Sequence, residues 1–484
     1  MEFKEIKNLY LTTFGVLPEK VEKLPGAGST RRYYKVEAPK DAPAGVPQVL
    51  VATVGSNPSE NRLFINLAAE FGRSDAYKVP RVYGYAEEDG CYIQSWHGEE
   101  SLFDRLRADG PEACESLCGD VLRSLVAMQT DDKVDLIGAG VGNRFDARQI
   151  HWDLNYFKYE FLKPAGIEPD ESALEDDFDR LADVALSYSD QLSGFMYRDF
   201  QSRNIMLDTH GPVFIDFQGG GGGPLLYDVV SFLWQAKAGF SAGMRRRLLD
   251  VYVKALSERR RVDMSGEIER LLPVYRLLRT LQVLGAYGFR GLVEHKAHFI
   301  ESIPGALKNL AELIEEGAVD DYPELLRVSR ILVGMAERYT PRPSGAGLRV
   351  EVFSFSYKRG YPEDFSGNGG GFMFDCRGMH NPGRYDEYKQ LTGLDRPVID
   401  FLEERGEAAR FIESAVAMVE PSVDSYLRRG FNNLQVAFGC TGGRHRSVYC
   451  AQHMAERLAA RYPEAEIVLH HRERGIHQTF KSNK

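Results

Sequence analysis

Asp199, Asn204 and Asp216 are the side chains whose types and spacing best match a known chemistry. They stand in Tyr197-Arg198-Asp199-Phe200-Gln201-Ser202-Arg203-Asn204 and in Phe214-Ile215-Asp216-Phe217-Gln218. An Asp, an Asn five residues on, and a second Asp closing an apolar run are what phosphoryl transfer from ATP requires. The first carboxylate faces the acceptor hydroxyl as base. The amide oxygen and the second carboxylate hold Mg2+, a hard ion that takes oxygen ligands. A lone Asp in a loop is usually a turn former. Three such residues in order, beside the strand-like runs Ile205–Leu207 and Val213–Ile215, argue for a site.

A loop that could cradle phosphates precedes them at the distance a small lobe occupies. Gly26-Ala27-Gly28-Ser29-Thr30-Arg31-Arg32-Tyr33-Tyr34 lies between candidate strands, and its small residues let backbone N–H groups approach phosphate. Gly28, Ser29, Thr30, Arg31 and Arg32 are the candidate nucleotide-binding residues. Val49–Val54, where most kinases place a phosphate-binding Lys, has none. Arg31 or Arg32 is expected to supply that cation. Asp228 is read as structural, fastening the catalytic loop or capping a helix.

The elements that must position these residues fall into a β-rich start and a helical body. Residues up to about 95 read as short strands and turns, with a helix over Asn61–Phe71. Helical periods follow at Leu117, Val121, Leu122, Leu125 and Val126, and at Leu271, Leu272, Tyr275, Leu278 and Leu281. Gly219–Gly223 reads as a loop that stays mobile until substrate orders it. The Pro/Gly segment Thr340–Gly347 is a break. Beyond it strands alternate with helices: Leu348–Tyr357, Gly371–Cys376, a helix over Val398–Val419, Leu434–Phe438, a helix over Val448–Leu458, and Ile467–His470. The expected architecture is an α+β protein-kinase-like bilobal domain followed by a three-layer α/β domain. The boundaries are 1–96 and 97–340 for the lobes, 341–347 for a linker, 348–474 for the second domain and 475–484 for a tail.

Composition sets the outer limits. The 484 residues carry a net charge of −10, unevenly distributed. From Leu348 onward there are 19 Lys+Arg against 18 Asp+Glu, with six of the eleven His, so the acidity lies in the body. Such a body does not look like a nucleic-acid binder, and no DNA partner is expected. No apolar run reaches membrane-spanning length and the N-terminus lacks a signal-peptide core, so the expected location is cytoplasmic, with no membrane partner. The six cysteines show no zinc or disulfide spacing.

The kinase strings continue into Gly223-Pro224-Leu225-Leu226-Tyr227-Asp228-Val229-Val230, and together they resemble the aminoglycoside phosphotransferase family. Gly28–Tyr34 is similar to its branch of anomeric N-acetylmuramate/N-acetylglucosamine kinases. The resemblance spans about 20–340. It implies Asp199 as catalytic base, Asn204 and Asp216 as Mg2+ ligands, and transfer from ATP to the anomeric hydroxyl of a hexose or N-acetylhexosamine. A hemiacetal hydroxyl is more acidic than an ordinary alcohol, so one carboxylate suffices. Tyr197 stands where the family usually has His. Residues such as His151, Trp152, Asp153, Asn155 and Tyr156 are candidates for shaping the sugar pocket.

The second motif is Gly439-Cys440-Thr441-Gly442-Gly443-Arg444-His445-Arg446-Ser447, between an apolar strand and a helix. Backbone N–H groups, a helix start and three cations suggest anion binding by Thr441, Gly442, Gly443, His445 and Arg446. Cys440, Gly443, Arg446 and Ser447 also fit the pattern of cysteine phosphatases, with Gly439 in place of their usual His. Together with Ser354–Pro362, Phe374–Arg377, Asn381–Gly383 and Leu391–Asp395, the loop is similar to the C-terminal domain of the RNase adapter RapZ, over about 348–474. That likeness implies a phosphorylated metabolite and a small RNA as partners. The near-neutral charge balance argues against strong affinity for a nucleic-acid backbone. The leading reading is a sugar kinase with a metabolite-sensing domain. Its rivals are a non-catalytic metabolite- and RNA-binding adapter on a kinase scaffold, and a kinase fused to a Cys-dependent phosphatase.

Overall fold

A computed structural model describes residues 2–25, 31–142, 144–340, 345–362, 364 and 371–480. The chain divides into two compact units, Met1–Phe289 with Pro304–Met335, and Arg290–Ile303 with Ala336–Lys484. No helix among the described residues is long and apolar enough to cross a membrane.

The first unit opens with an antiparallel sheet of five strands, β1 (Lys20–Lys23), β2 (Arg32–Glu37), β3 (Val49–Val54), β4 (Val82–Ala86) and β5 (Cys91–Ser95), in the order β1-β2-β3-β5-β4. Tyr34, Val36, Leu50, Ala52 and Val54, at alternate positions, point into one small core. That core is closed by a helix, Glu2–Phe14, through Ile6, Leu9 and Tyr10. The strands-and-turns reading of this region missed that helix, because only three of its thirteen residues are buried and the stretch is otherwise polar. The helix after β3 runs over Pro58–Phe71. Asn57 caps it by accepting from the N–H groups of Ser59 and Glu60, and Pro58 suits the first helical turn. Phe64, Leu67, Ala68 and Phe71 line its buried face at the expected spacing.

The helical lobe includes Glu115–Gln129, Ala147–Phe157, Leu226–Leu233, Ala242–Arg260 and Ser265–Tyr287. Two short antiparallel ribbons flank the Asp199, Asn204 and Asp216 strings: β6 (Ser193–Met196) with β9 (Gly221–Pro224), and β7 (Ile205–Asp208) with β8 (Gly211–Phe214). Gly221–Gly223 are therefore part of a strand where a loop was expected, and Gly219 and Gly220 form the turn before it. These glycines permit close approach, since a Cβ on Gly220 would meet the Phe195 ring at 2.5 Å and one on Gly223 would meet Phe145 at 2.9 Å.

The second unit carries β10 (Arg349–Ser356), β11 (Gly371–Asp375), β12 (Asn433–Cys440), β13 (Glu466–His471) and β14 (Ile476–Phe480), ordered β11-β12-β10-β13-β14. The first four are parallel, and β14 pairs antiparallel with β13. Residues 476–480, read from sequence as tail, thus form an edge strand. They lack the apolar run that marked the others. Helices Arg396–Glu404, Glu407–Arg429 and Arg446–Arg461 share one apolar cluster with Val350, Val352, Val436, Phe438, Ile467 and Leu469. The single helix expected over 398–419 is two helices. Gly406, at φ 67°, breaks it in a backbone state that glycine adopts without a Cβ penalty.

Candidate active site

The Tyr197–Asp199 string is a turn pinned from behind. β6 ends at Met196, and the chain then bends through Arg198 at φ 75°, a left-handed conformation that costs a non-glycine residue energy. Asp228, buried on the helix Leu226–Leu233, holds this bend. Its carboxylate accepts from the N–H of Tyr197 at 2.7 Å, the N–H of Arg198 at 2.8 Å and Gln129 Nε2 at 2.7 Å. Tyr252 donates in turn to Gln129 Oε1 at 2.9 Å. Burial pushes the Asp228 carboxyl up to about 7, against the pull of those donors. The Tyr197 ring is fully buried and its hydroxyl donates to the Ile215 carbonyl. Tyr197 therefore ties the loop to the residue before Asp216.

Asp199 emerges from this bend with about half of its side chain exposed. Its backbone carbonyl accepts from Asn204 Nδ2 at 2.9 Å, which leaves Oδ1 as the atom for Asn204 to present to a cation. Asn204 directly precedes β7, and Ile215 directly follows β8. Across the hairpin the Ile215 N–H donates to the Asn204 carbonyl at 3.0 Å, so Asn204 and Asp216 are brought side by side. Asp216 also sits at positive φ, 67°. Burial pushes its carboxyl up, countered by Gln218 Nε2 at 2.8 Å and by Arg31. A divalent cation is the partner such a desolvated carboxylate suits. Two protein oxygens, from Asn204 and Asp216, would share such an ion with phosphate and water.

Arg31 is the cation brought to this hairpin. Its side chain is almost wholly buried, with Nη1 3.7 Å from Asp216 Oδ1 and Nη2 3.4 Å from Glu60 Oε2 on the helix Pro58–Phe71. Arg32 turns elsewhere and pairs with Glu2 at 2.9 Å. Gly28, Ser29 and Thr30 lie outside the described residues. Two more residues pair with the turn. Asp153 pairs with Arg198 at 3.1 Å, and Arg279, from Ser265–Tyr287, places Nη2 3.5 Å from Asp199 Oδ1. Sequence reasoning included Asp153 among five neighbours and missed Glu60 and Arg279. Arg279 had a signal: it follows buried Tyr275 by one helical turn, on an apolar face.

The C-terminal loop is arranged differently. Arg446 Nη1 donates to the carbonyls of Arg377 and Met379, both at 2.9 Å. Arg444 donates to the carbonyls of Leu391 at 3.0 Å and Gln390 at 2.6 Å, and His445 Nε2 lies 2.9 Å from the Tyr388 carbonyl. Thr441 and Gly442 are exposed, whereas Gly443, His445 and Arg446 are buried. Cys440 is buried, its Sγ 3.2 Å from Ser447 Oγ. Burial would raise its thiol pKa. The Ser447 hydroxyl and the N–H groups of Ser447 and Arg444, with the charge of Arg446, outweigh that and hold it below the ordinary value.

Residues 31–264 match the phosphotransferase enzyme family, and residues 348–475 match the RapZ C-terminal domain. The chain joins a phosphotransferase domain to a RapZ C-terminal domain. The phosphotransferase domain has the two-lobed, protein-kinase-like fold. Structural matches include a putative aminoglycoside phosphotransferase from Ralstonia eutropha JMP134 (14% identity, 69% of this chain and 98% of that one, TM-score 0.42). They also include a choline kinase from Cryptosporidium parvum Iowa II (12%, 66% and 98%, TM-score 0.47). A third is an amicoumacin kinase in complex with AMP-PNP and Ca2+ (11%, 64% and 94%, TM-score 0.46). The assignment rests on the family matches.

Proposed function

We propose that the phosphotransferase domain transfers the γ-phosphoryl group of ATP, with Mg2+, to the anomeric hydroxyl of a hexose or N-acetylhexosamine. The observation that carries this reading is the convergence of exposed Asp199 with the hairpin that joins Asn204 to Asp216. Asp199 accepts the proton of the acceptor hydroxyl, a contribution of ~10²–10⁴-fold. Asn204 Oδ1 and the Asp216 carboxylate hold Mg2+, which when bound neutralises charge on the transferring phosphates. Arg31, steadied by Glu60, stands where a buried cation can meet phosphate oxygens, and so serves in place of the Lys absent from β3. Asp228 and Tyr197 keep Asp199 aimed.

The RapZ C-terminal domain is proposed to bind a phosphorylated metabolite at the 440–447 loop, with Thr441 and Gly442 as the exposed contacts. Gly443, His445 and Arg446 give the loop its shape. The test of the kinase reading is release of ADP from ATP across a panel of free sugars, with NMR locating the phosphorylated carbon. Sugar-dependent ADP and a phosphate on C1 are expected. No release with any sugar would return the chain to the adapter reading.

A further inference from the structure

The β7–β8 hairpin is closed at its base by the Asn204–Ile215 backbone bond, and its far end is held by His97. His97 lies in the segment that leads from β5 into the helical lobe. Its Nδ1 is 3.1 Å from Asp208 Oδ2, at the end of β7, and its Nε2 is 2.6 Å from Ser95 Oγ, at the end of β5. The Arg81 N–H already meets Ser95 Oγ at 3.0 Å, so the hydroxyl hydrogen is left for Nε2 and the Nδ1 hydrogen for the carboxylate. Asp208 also accepts from the His210 N–H at 2.7 Å, and Lys78 Nζ donates to the His210 carbonyl at 2.7 Å. Burial would raise the Asp208 carboxyl. The His210 N–H, His97 and Lys78 outweigh that and hold it below the ordinary carboxylate range, so it stays an acceptor. Ser, His and Asp in this order activate a nucleophile in hydrolases. Here the chain of bonds starts at an oxygen already taken by a backbone N–H and runs from the sheet to the hairpin, which makes it a tie.

We infer that His97 is a positioning residue for the Mg-nucleotide, pinning the β7–β8 hairpin to β5 so that Asn204 and Asp216 stay matched to Arg31. This rests on ATP as the donor. Arg31 arrives from the sheet, directly before β2, whereas Asn204 and Asp216 belong to the hairpin. A triphosphate and its ion must be met from both sides at once. Between the two sides the chain bends at Gly98, φ 86°, and the Leu207 N–H donates to the Glu100 carbonyl at 3.0 Å. Without the imidazole the hairpin keeps its own ladder and that backbone bond, but loses its side-chain tie to β5. Only the fraction of molecules with both sides in place then binds nucleotide at full strength, and the apparent Kd rises as the inverse of that fraction. Saturating nucleotide restores the bound arrangement, so turnover at saturation changes little.

The test is calorimetric titration of the full chain with Mg-AMP-PNP. His97→Phe keeps a ring and removes both nitrogens. It should weaken binding by about 3–10-fold, the effect of a competent fraction lowered to ~10–30%. His97→Asn, which keeps a donor toward Asp208, should recover most of the loss. Ser95→Ala should weaken binding by about twofold alone and add nothing to His97→Phe, because the two residues act as one chain. With the sugar that best releases ADP, KM for ATP should rise by the same factor in His97→Phe, while kcat and KM for the sugar hold within about twofold. Wild-type affinity in a folded His97→Phe protein overturns the inference. So does a matching loss in kcat or in sugar KM, the mark of a merely structural role. If His97→Phe does not fold, wild-type affinity in Ser95→Ala overturns it instead. Failure of the wild type to bind Mg-AMP-PNP removes ATP as the donor and the inference with it. The expected binding losses without turnover of any sugar would support the pin and remove only the sugar acceptor.

Discussion

The two units carry loops that look alike in sequence and work differently in space. Each is a polar turn with cations next to a strand. Around Asp199 the side chains aim outward from a backbone held by others: Asp228 takes the N–H groups, Tyr197 takes a carbonyl, and Asp199 stays exposed. In the 440–447 loop the relation is reversed. Arg444, His445 and Arg446 reach for backbone carbonyls of the 377–391 segment, and the exposed positions are the small ones. A charged side chain near a turn signals a site only when something else satisfies the backbone.

This contrast is tested most sharply at one residue from each loop, the exposed acid and the buried brace. Asp199→Asn should cut sugar-dependent ADP release by ~10²–10⁴-fold without loss of fold, checked by single-turnover kinetics and circular dichroism. Retained activity would remove the base from the account. Arg446→Met should cost the second unit about 3 kcal/mol, because one buried and one part-buried carbonyl lose their donor. Loss of metabolite binding with unchanged urea stability would mean that Arg446 is a ligand contact and not a brace.

The pH dependence of the two units should run in opposite directions. The Asp228 carboxyl is raised to about 7, so its stabilising contribution is present below pH ~4 and fades as pH rises through 7. The His471 ring is lowered to about 4 by burial, so its contribution is present above pH ~6.5 and fades as pH falls through 4. Hydrogen exchange of the whole chain, corrected for intrinsic rates, should show protection near Tyr197 declining from pH 4 to 7 while protection near Leu469 increases. Asp228→Asn and His471→Asn should each flatten one slope. The smallest effect expected is at Cys440. Replacement by Ser should leave phosphatase activity at background in both proteins, and a clear loss on substitution would restore the thiol as a nucleophile.

Three of the candidate residues could be read in the chain because they lie within one hairpin and the turn before it. Asp199, Asn204 and Asp216 need only local strands to meet. Arg31–Glu60 and Arg279 were harder, since packing of Pro58–Phe71 and Ser265–Tyr287 brings them in. The parallel strands were visible as apolar runs, whereas β14 and the first helix bury too few apolar residues to stand out. The bracing role of Arg444–Arg446 was hidden for another reason: their partners are carbonyls about 53 to 69 residues away, and any residue type supplies a carbonyl.

The glycine run beside the Asp199 turn has two open positions, Gly219 and Gly222, the second of them in the strand. Where Gly220 and Gly223 are hemmed in, a Cβ on Gly222 would meet nothing within 4 Å. Gly222 is therefore a graft point: Ala, Ser or Thr placed there would grow into vacant space within a ribbon whose other strand leads straight to Asp199. Side chains could be added at that residue while the Asp228 and Tyr197 contacts that hold the turn are left alone.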